Sequence, residues 1–307
     1  MGDDVQLSLK PLFDRGAIVQ PNSKIITKLD NGFHTTTYSQ IKPSAYKLAS
    51  ALSSICDLKL GDICATFMWN TARHMMVYYA VPCMGAAVLP LNLRLHPKEL
   101  SYIIQHSQPK VAIIDAINLP LFEQIPRSAL SSIKYFIICG SNMQSNNWKS
   151  SLPNAMDFET LISRGNMNYD WPNLNEKSGA FLFYTSGTTG NPKGVLYSHR
   201  AVALCMFSFM RTTFEGDNCV LALPPMFHVG GWWVTFAALC LGFKVLYPHN
   251  CYDFGALMNW SLDEGANVMF GVPTMILGLA QAIKMNPKKF EPFRNNLRLL
   301  TGGTAIP

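Results

Sequence analysis

From Thr35 onward, apolar runs of strand length alternate with segments of helical period, and that alternation leaves few folds open. Strand, helix, strand in succession builds a parallel sheet whose faces the helices cover. Ile41, Ala45, Leu48, Ala49, Leu52 and Ile55 form one helical stripe, followed by a strand at 63–68. Asn70 is placed to cap a second helix, 86–91 is the next strand, and His96-Pro97 opens a helix with proline at its first position. Residues 111–115 and 135–139 read as further strands. After residue 177 the pattern resumes with a strand at 181–184, a helix at 201–210 and a strand at 219–223. A buried helix at 232–241, a strand at 244–247, helices at 256–262 and 275–283 and a last strand at 297–300 complete it. The expected class is α/β, with parallel sheets flanked by helices.

Between 140 and 177 the composition shifts to Asn, Ser, Pro and Gly, with one short helical candidate at 158–162. With 307 residues and about 100–200 residues per domain, this segment is the expected internal boundary. It separates a first α/β subdomain, 1–165, from a second, 166–307, which carries the loop described below.

Hydrophobic residues make up 49% of the chain and charged residues 14%, which excludes a disordered chain. The 25 Lys and Arg against 19 Asp and Glu give +6, spread along the chain with no basic run, so nucleic acid is not an expected partner. Phosphate-rich small molecules suit that sign. The eight cysteines form no C-x-x-C pair and lie in or beside apolar stretches, so they read as buried thiols of a reducing, intracellular compartment. Cytoplasm, mitochondrion and peroxisome are not distinguished. The acidic start, Met1-Gly2-Asp3-Asp4, does not resemble a secretory signal. The longest apolar stretches are broken by Pro82, Pro90 and Lys244, so no transmembrane segment is expected.

The chemistry concentrates in Tyr184-Thr185-Ser186-Gly187-Thr188-Thr189-Gly190-Asn191-Pro192-Lys193-Gly194, directly after an apolar strand. Walker A spacing is absent. Hydroxyls, glycines and one lysine in this order can surround a polyphosphate with backbone N–H groups, hydroxyl donors and a mobile positive charge. A short Gly/Ser/Thr cluster is ordinarily a solvated turn, but the full order resembles the phosphate loop of the adenylate-forming, or AMP-binding, enzymes. That family includes acyl-CoA synthetases, luciferases and peptide-synthetase adenylation domains. The likeness covers nearly the whole chain. Trp69-Asn70, Arg73-His74, 78–85 and 91–97 resemble the N-terminal part of medium- and long-chain fatty-acyl-CoA synthetases. Residues 195–200, Pro225-Met226-Phe227-His228-Val229, Gly271-Val272-Pro273-Thr274 and Thr301-Gly302-Gly303 follow in the family's order.

The resemblance implies the large N-terminal domain of such enzymes and a two-step ligation. A carboxylate attacks the α-phosphate of ATP to give acyl-AMP and pyrophosphate, and the thiol of coenzyme A then displaces AMP. Two anions meet in the first step, so Lys193 and the Mg²⁺ that accompanies ATP are expected to offset their repulsion. Thr185, Ser186, Gly187, Thr188, Thr189 and Gly190 are expected at the β- and γ-phosphates. His228 is expected at the acyl carboxylate and α-phosphate. Trp232 resembles the family's acyl-tunnel gate, with core packing as its alternative, and Val272 lies in the segment beside that channel. Gly302, Gly303 and Thr304 match the adenine-side loop. Arg73, His74, Arg94 and His96 are assigned to packing and surface, and His199 to a helix start. No metal ligation by protein side chains is expected, because the histidines and cysteines do not cluster. A homodimer is left open.

Complete relatives continue well past Pro307, into the adenine-stacking segment, the ribose aspartate, the hinge and a small C-terminal domain with the adenylation lysine. Two readings therefore compete: a fatty-acid (carboxylate) CoA ligase present as a partial AMP-binding domain, and a non-catalytic nucleotide- or acyl-binding fragment or partner-dependent pseudoenzyme. An aryl or luciferase-like acid in place of the fatty acid is a third.

Overall fold

In a computed structural model, which describes residues 5–141, 148–185, 190–210, 215 and 217–301, the chain divides into two compact units interleaved along the sequence. Unit 1 comprises residues 1–12, 41–68 and 73–207, and unit 2 comprises 13–40, 69–72 and 208–307. The Asn/Ser/Pro/Gly-rich stretch at 140–177 thus falls inside unit 1 and not between two units. Local composition marks a polar loop, whereas a unit is defined by which distant segments pack together.

Unit 1 is built on β3 (Ile63–Phe67), β4 (Ala87–Pro90), β5 (Val111–Asp115), β6 (Tyr135–Cys139), β7 (Ala155–Asp157), β8 (Gly179–Thr185) and β9 (Lys193–Ser198), in the order β7-β6-β5-β3-β4-β8-β9. Every pair is parallel except β8 with β9. All residues of β4 and β5 are buried, as strands covered on both faces require. The flanking helices include α3 (Ala72–Cys83), α4 (Pro97–Ser107), α5 (Leu119–Phe122), α6 (Phe158–Ser163) and α7 (His199–Met210), with most of α2 (Tyr38–Ser54). His96 caps α4 by accepting from the Lys98 amide, while the Glu99 side chain accepts from the His96 amide. Arg73 is buried, pairs with Glu159 and donates to the Gly140 carbonyl. His74 Nε2 lies 2.9 Å from the Thr66 hydroxyl. These are packing roles, as expected.

Unit 2 is built on β1 (Lys24–Leu29), β2 (Gly32–Thr37), β10 (Cys219–Ala222), β11 (Lys244–Tyr247), β12 (Val268–Gly271) and β13 (Arg298–Thr301), in the order β13-β12-β10-β11-β1-β2. Only the β1–β2 pair is antiparallel. Its helices are α8 (Val229–Leu241), α9 (Phe254–Asp263) and α10 (Pro273–Met285), together with most of α1 (Leu9–Val19). Helix α8 is buried on every side from Gly231 to Cys240, as its uniformly apolar sequence demands. Gly242, with φ +75°, ends it in the left-handed region.

Helices α1 and α5 and strands β1, β2, β7, β9 and β12 lie outside the sequence reading, for physical reasons that differ. Strand β9 is an exposed edge strand without alternation, and β12 is four residues running straight into the turn that opens α10. Asn70 does not cap α3. The Ala72 amide donates to the Thr27 hydroxyl of β1 at 3.0 Å, and the Asn70 side chain is used elsewhere. All eight cysteines are free; six are buried, and Cys205 and Cys251 are half-buried. Burial pushes the thiols of Cys56 and Cys219 up to about 12. Among the described residues no helix is long and apolar enough to cross a membrane.

Candidate functional site

In unit 1 the hydroxyl- and glycine-rich loop joins β8 to β9, and Thr185 pairs with Lys193 at its base. Thr185, Gly190 and Lys193 are exposed there. Gly190 has φ +108° with nothing near the position of an added Cβ, so the backbone conformation itself calls for glycine. Ser186, Gly187, Thr188 and Thr189 lie outside the described residues. Tyr184, the residue before the loop, shares a 2.6 Å hydrogen bond with His106 Nδ1 of α4, which fixes the carboxyl end of β8. Burial raises the Tyr184 phenol, which stays protonated.

In unit 2 three expected segments follow adjacent strands of one sheet. His228 follows β10, Val272 follows β12, and Thr301 ends β13, with Gly302, Gly303 and Thr304 beyond it outside the described residues. Strands β10, β12 and β13 are neighbours and parallel, so all three segments leave the same edge of the sheet. The carboxyl edge of a parallel sheet is where α/β folds place their ligands.

His228 is the N-cap of α8, with extended backbone at φ −111° and ψ 154°. Its side chain does not cap the helix, and its exposed ring lies 4.7 Å from that of Phe227, centroid to centroid. Its carbonyl accepts from the Gly231 and Trp232 amides. A Cβ at Gly231 would collide with the carbonyl oxygens of Pro224 and Pro225, so the first turn of α8 lies directly on this double proline. Trp232 is buried against Phe236 at 5.1 Å. Val272 is the N-cap of α10, whose first residue is Pro273. A cleft of about 380 Å³ between α9 and α10, lined by Phe254, Gly278 and Met285 among others, contains none of these residues.

Sequence reasoning missed the function of Asn70. Its Nδ2 donates to the carbonyls of Ala222 at 3.2 Å and Pro224 at 2.7 Å, and its Oδ1 accepts from the Met226 amide at 2.7 Å. The available signal was Pro224-Pro225 itself, a turn poor in backbone donors. Among the described residues no group of three or more His, Cys, Asp or Glu could hold a metal ion.

The chain is 34% identical over 306 residues to a medium-chain-fatty-acid–CoA ligase of Ectopseudomonas oleovorans, covering 98% of this chain and 55% of that protein. It is 33% identical to a 3-methylmercaptopropionyl-CoA ligase of Ruegeria lacuscaerulensis, with 98% and 55% covered. The chain thus spans about half the length of the curated relatives it matches. In fold it is similar to the inhibitor-bound N-terminal domain of FACL13 from Mycobacterium tuberculosis, at a TM-score of 0.82 and 22% identity, covering 98% of this chain and 71% of that one. The model of the AMP-binding enzyme family matches residues 13–307, and the chain belongs to that family of adenylate-forming enzymes.

Proposed function

We propose that the chain takes part in the ATP-dependent ligation of a fatty acid, or a related carboxylate, to coenzyme A through an acyl adenylate. The observation that carries this reading is the exit of the His228, Val272 and Thr301 segments from adjacent strands at one sheet edge. His228 stands at the amino end of α8, where the helix dipole favours an anion. Its imidazole can hold a carboxylate or α-phosphate oxygen with a charge-assisted hydrogen bond. Thr185, Gly190 and Lys193 suit a polyphosphate: the cation is exposed near Gly190, whose backbone conformation only glycine adopts without strain. Mg²⁺ bound with ATP would supply further charge neutralisation and keep mostly phosphate and water ligands. Trp232 is packed on Phe236, so a role as acyl gate requires its ring to turn away from that contact.

ATP–pyrophosphate exchange driven by decanoate tests this on the 307-residue chain. Exchange that falls about 100-fold in His228→Ala is the expected result. No exchange with any straight-chain acid, combined with retained binding of an acyl-adenylate analogue, supports the non-catalytic binding reading instead.

A further inference from the structure

Two consecutive prolines, Pro224 and Pro225, carry no backbone N–H, so the turn between β10 and α8 is short of two backbone donors at its centre. Asn70 supplies what is missing. It is 2% exposed, and its carboxamide spends both Nδ2 donors on Ala222 and Pro224 and its oxygen on the Met226 amide. The amide orientation follows from the partners, since the reverse would set oxygen against two carbonyls and NH₂ against an N–H. The segment that carries Asn70 is itself anchored within unit 2. The Trp69 ring meets that of Tyr252 at 6.0 Å, and the Ala72 amide is held by Thr27. Downstream, the His228 amide donates to the Pro225 carbonyl at 2.9 Å, and Gly231 lies on the same two proline carbonyls. The direction in which His228 leaves the chain is therefore set by the part of the turn that Asn70 grips.

We propose that Asn70 is the positioning residue for His228: its carboxamide fixes the Ala222–Met226 turn and thereby aims the imidazole. This rests on the ligase reading for what His228 is aimed at, but not for the fixing of the turn.

The test uses the 307-residue chain and the non-hydrolysable analogue 5′-O-(N-decanoylsulfamoyl)adenosine. Binding is measured for the wild type, Asn70→Ala, His228→Ala and the double variant, alongside amide exchange of residues 223–232. Asn70→Ala and His228→Ala should each weaken binding about tenfold, and the double variant no more than either alone. Exchange across 223–232 should rise more than about tenfold in Asn70→Ala, with 111–115 and 135–139 unchanged. Asn70→Asp keeps the volume and the acceptor for Met226 but loses both donors. It should behave alike, and it replaces Asn70→Ala if that variant does not fold. Multiplicative losses in the double variant, or unchanged exchange at 223–232, overturn the proposal. If the wild type does not bind the analogue, the ligase reading fails, and the exchange at 223–232 alone decides the role of Asn70.

Discussion

The Nδ1 of His199, the first residue of α7, accepts the backbone N–H of Leu9, the first residue of α1, at 3.2 Å across 190 residues of chain. An Nδ1 that accepts places the proton of the neutral ring on Nε2. The side chain is fully buried, and burial lowers its pKa from the ordinary 6.5 to about 4. Between those values the unfolded chain holds a proton that the folded chain refuses, so stability rises with pH across that window. The full stabilisation is present above the unfolded pKa and is lost as pH falls towards 4. Urea unfolding at stepped pH should show a loss of about 3 kcal/mol on acidification. His199→Asn, which keeps an acceptor for Leu9 without a titrating ring, should flatten that slope.

Arg73 and Glu159 form an ion pair that is uneven in burial: the arginine side chain is 6% exposed and the glutamate 43%. Removing the glutamate leaves a buried cation, whereas removing the arginine leaves a half-solvated anion. Glu159→Ala should therefore cost about 2–3 kcal/mol and Arg73→Met about 1–2 kcal/mol, the latter mainly for the unpaired Gly140 carbonyl. Chemical denaturation gives both values, and the reverse order would refute the argument.

Gly231 and Gly190 are required for different reasons. An added methyl at Gly231 meets proline backbone, which cannot swing aside, while at Gly190 it meets nothing and only the φ of +108° resists. Gly231→Ala should lower stability by more than about 2 kcal/mol, and Gly190→Ala by about 1 kcal/mol. Thermal melts of the two variants compare them directly.

Lys193 is exposed at the mouth of the β8–β9 hairpin. Lys193→Ala should leave the unfolding free energy within about 0.5 kcal/mol of the wild type. ATP–pyrophosphate exchange should fall at least about tenfold, because under the proposed function the lost charge serves the phosphates and not the protein. Parallel unfolding and exchange assays would separate the two effects, and unchanged exchange would remove Lys193 from the site.

Much of the strand and helix pattern after Thr35 was legible because burial on a sheet or a helix face imprints a period on nearby residues. Val111–Asp115 is apolar up to its last residue because both faces of β5 are covered, and the hydrophobic stripe of α2 repeats with the helix turn. The exposed β9 lacks such an imprint, whereas β12 is largely buried but only four residues long. The hydroxyl- and glycine-rich segment proposed to hold phosphate was visible for a similar reason, being one continuous stretch of sequence.

The sequence by itself determined the α/β class, the family likeness and which residues are proposed for phosphate and carboxylate. Only the tertiary structure decided that His228, Val272 and Thr301 leave one sheet edge, since strand order is set by hydrogen bonds between segments far apart in the chain. It alone decided that Asn70, placed like a helix cap, instead holds a turn some 150 residues away. A side-chain amide satisfies whichever backbone groups the fold brings to it, and in this chain those belong to a turn whose prolines have no donors of their own.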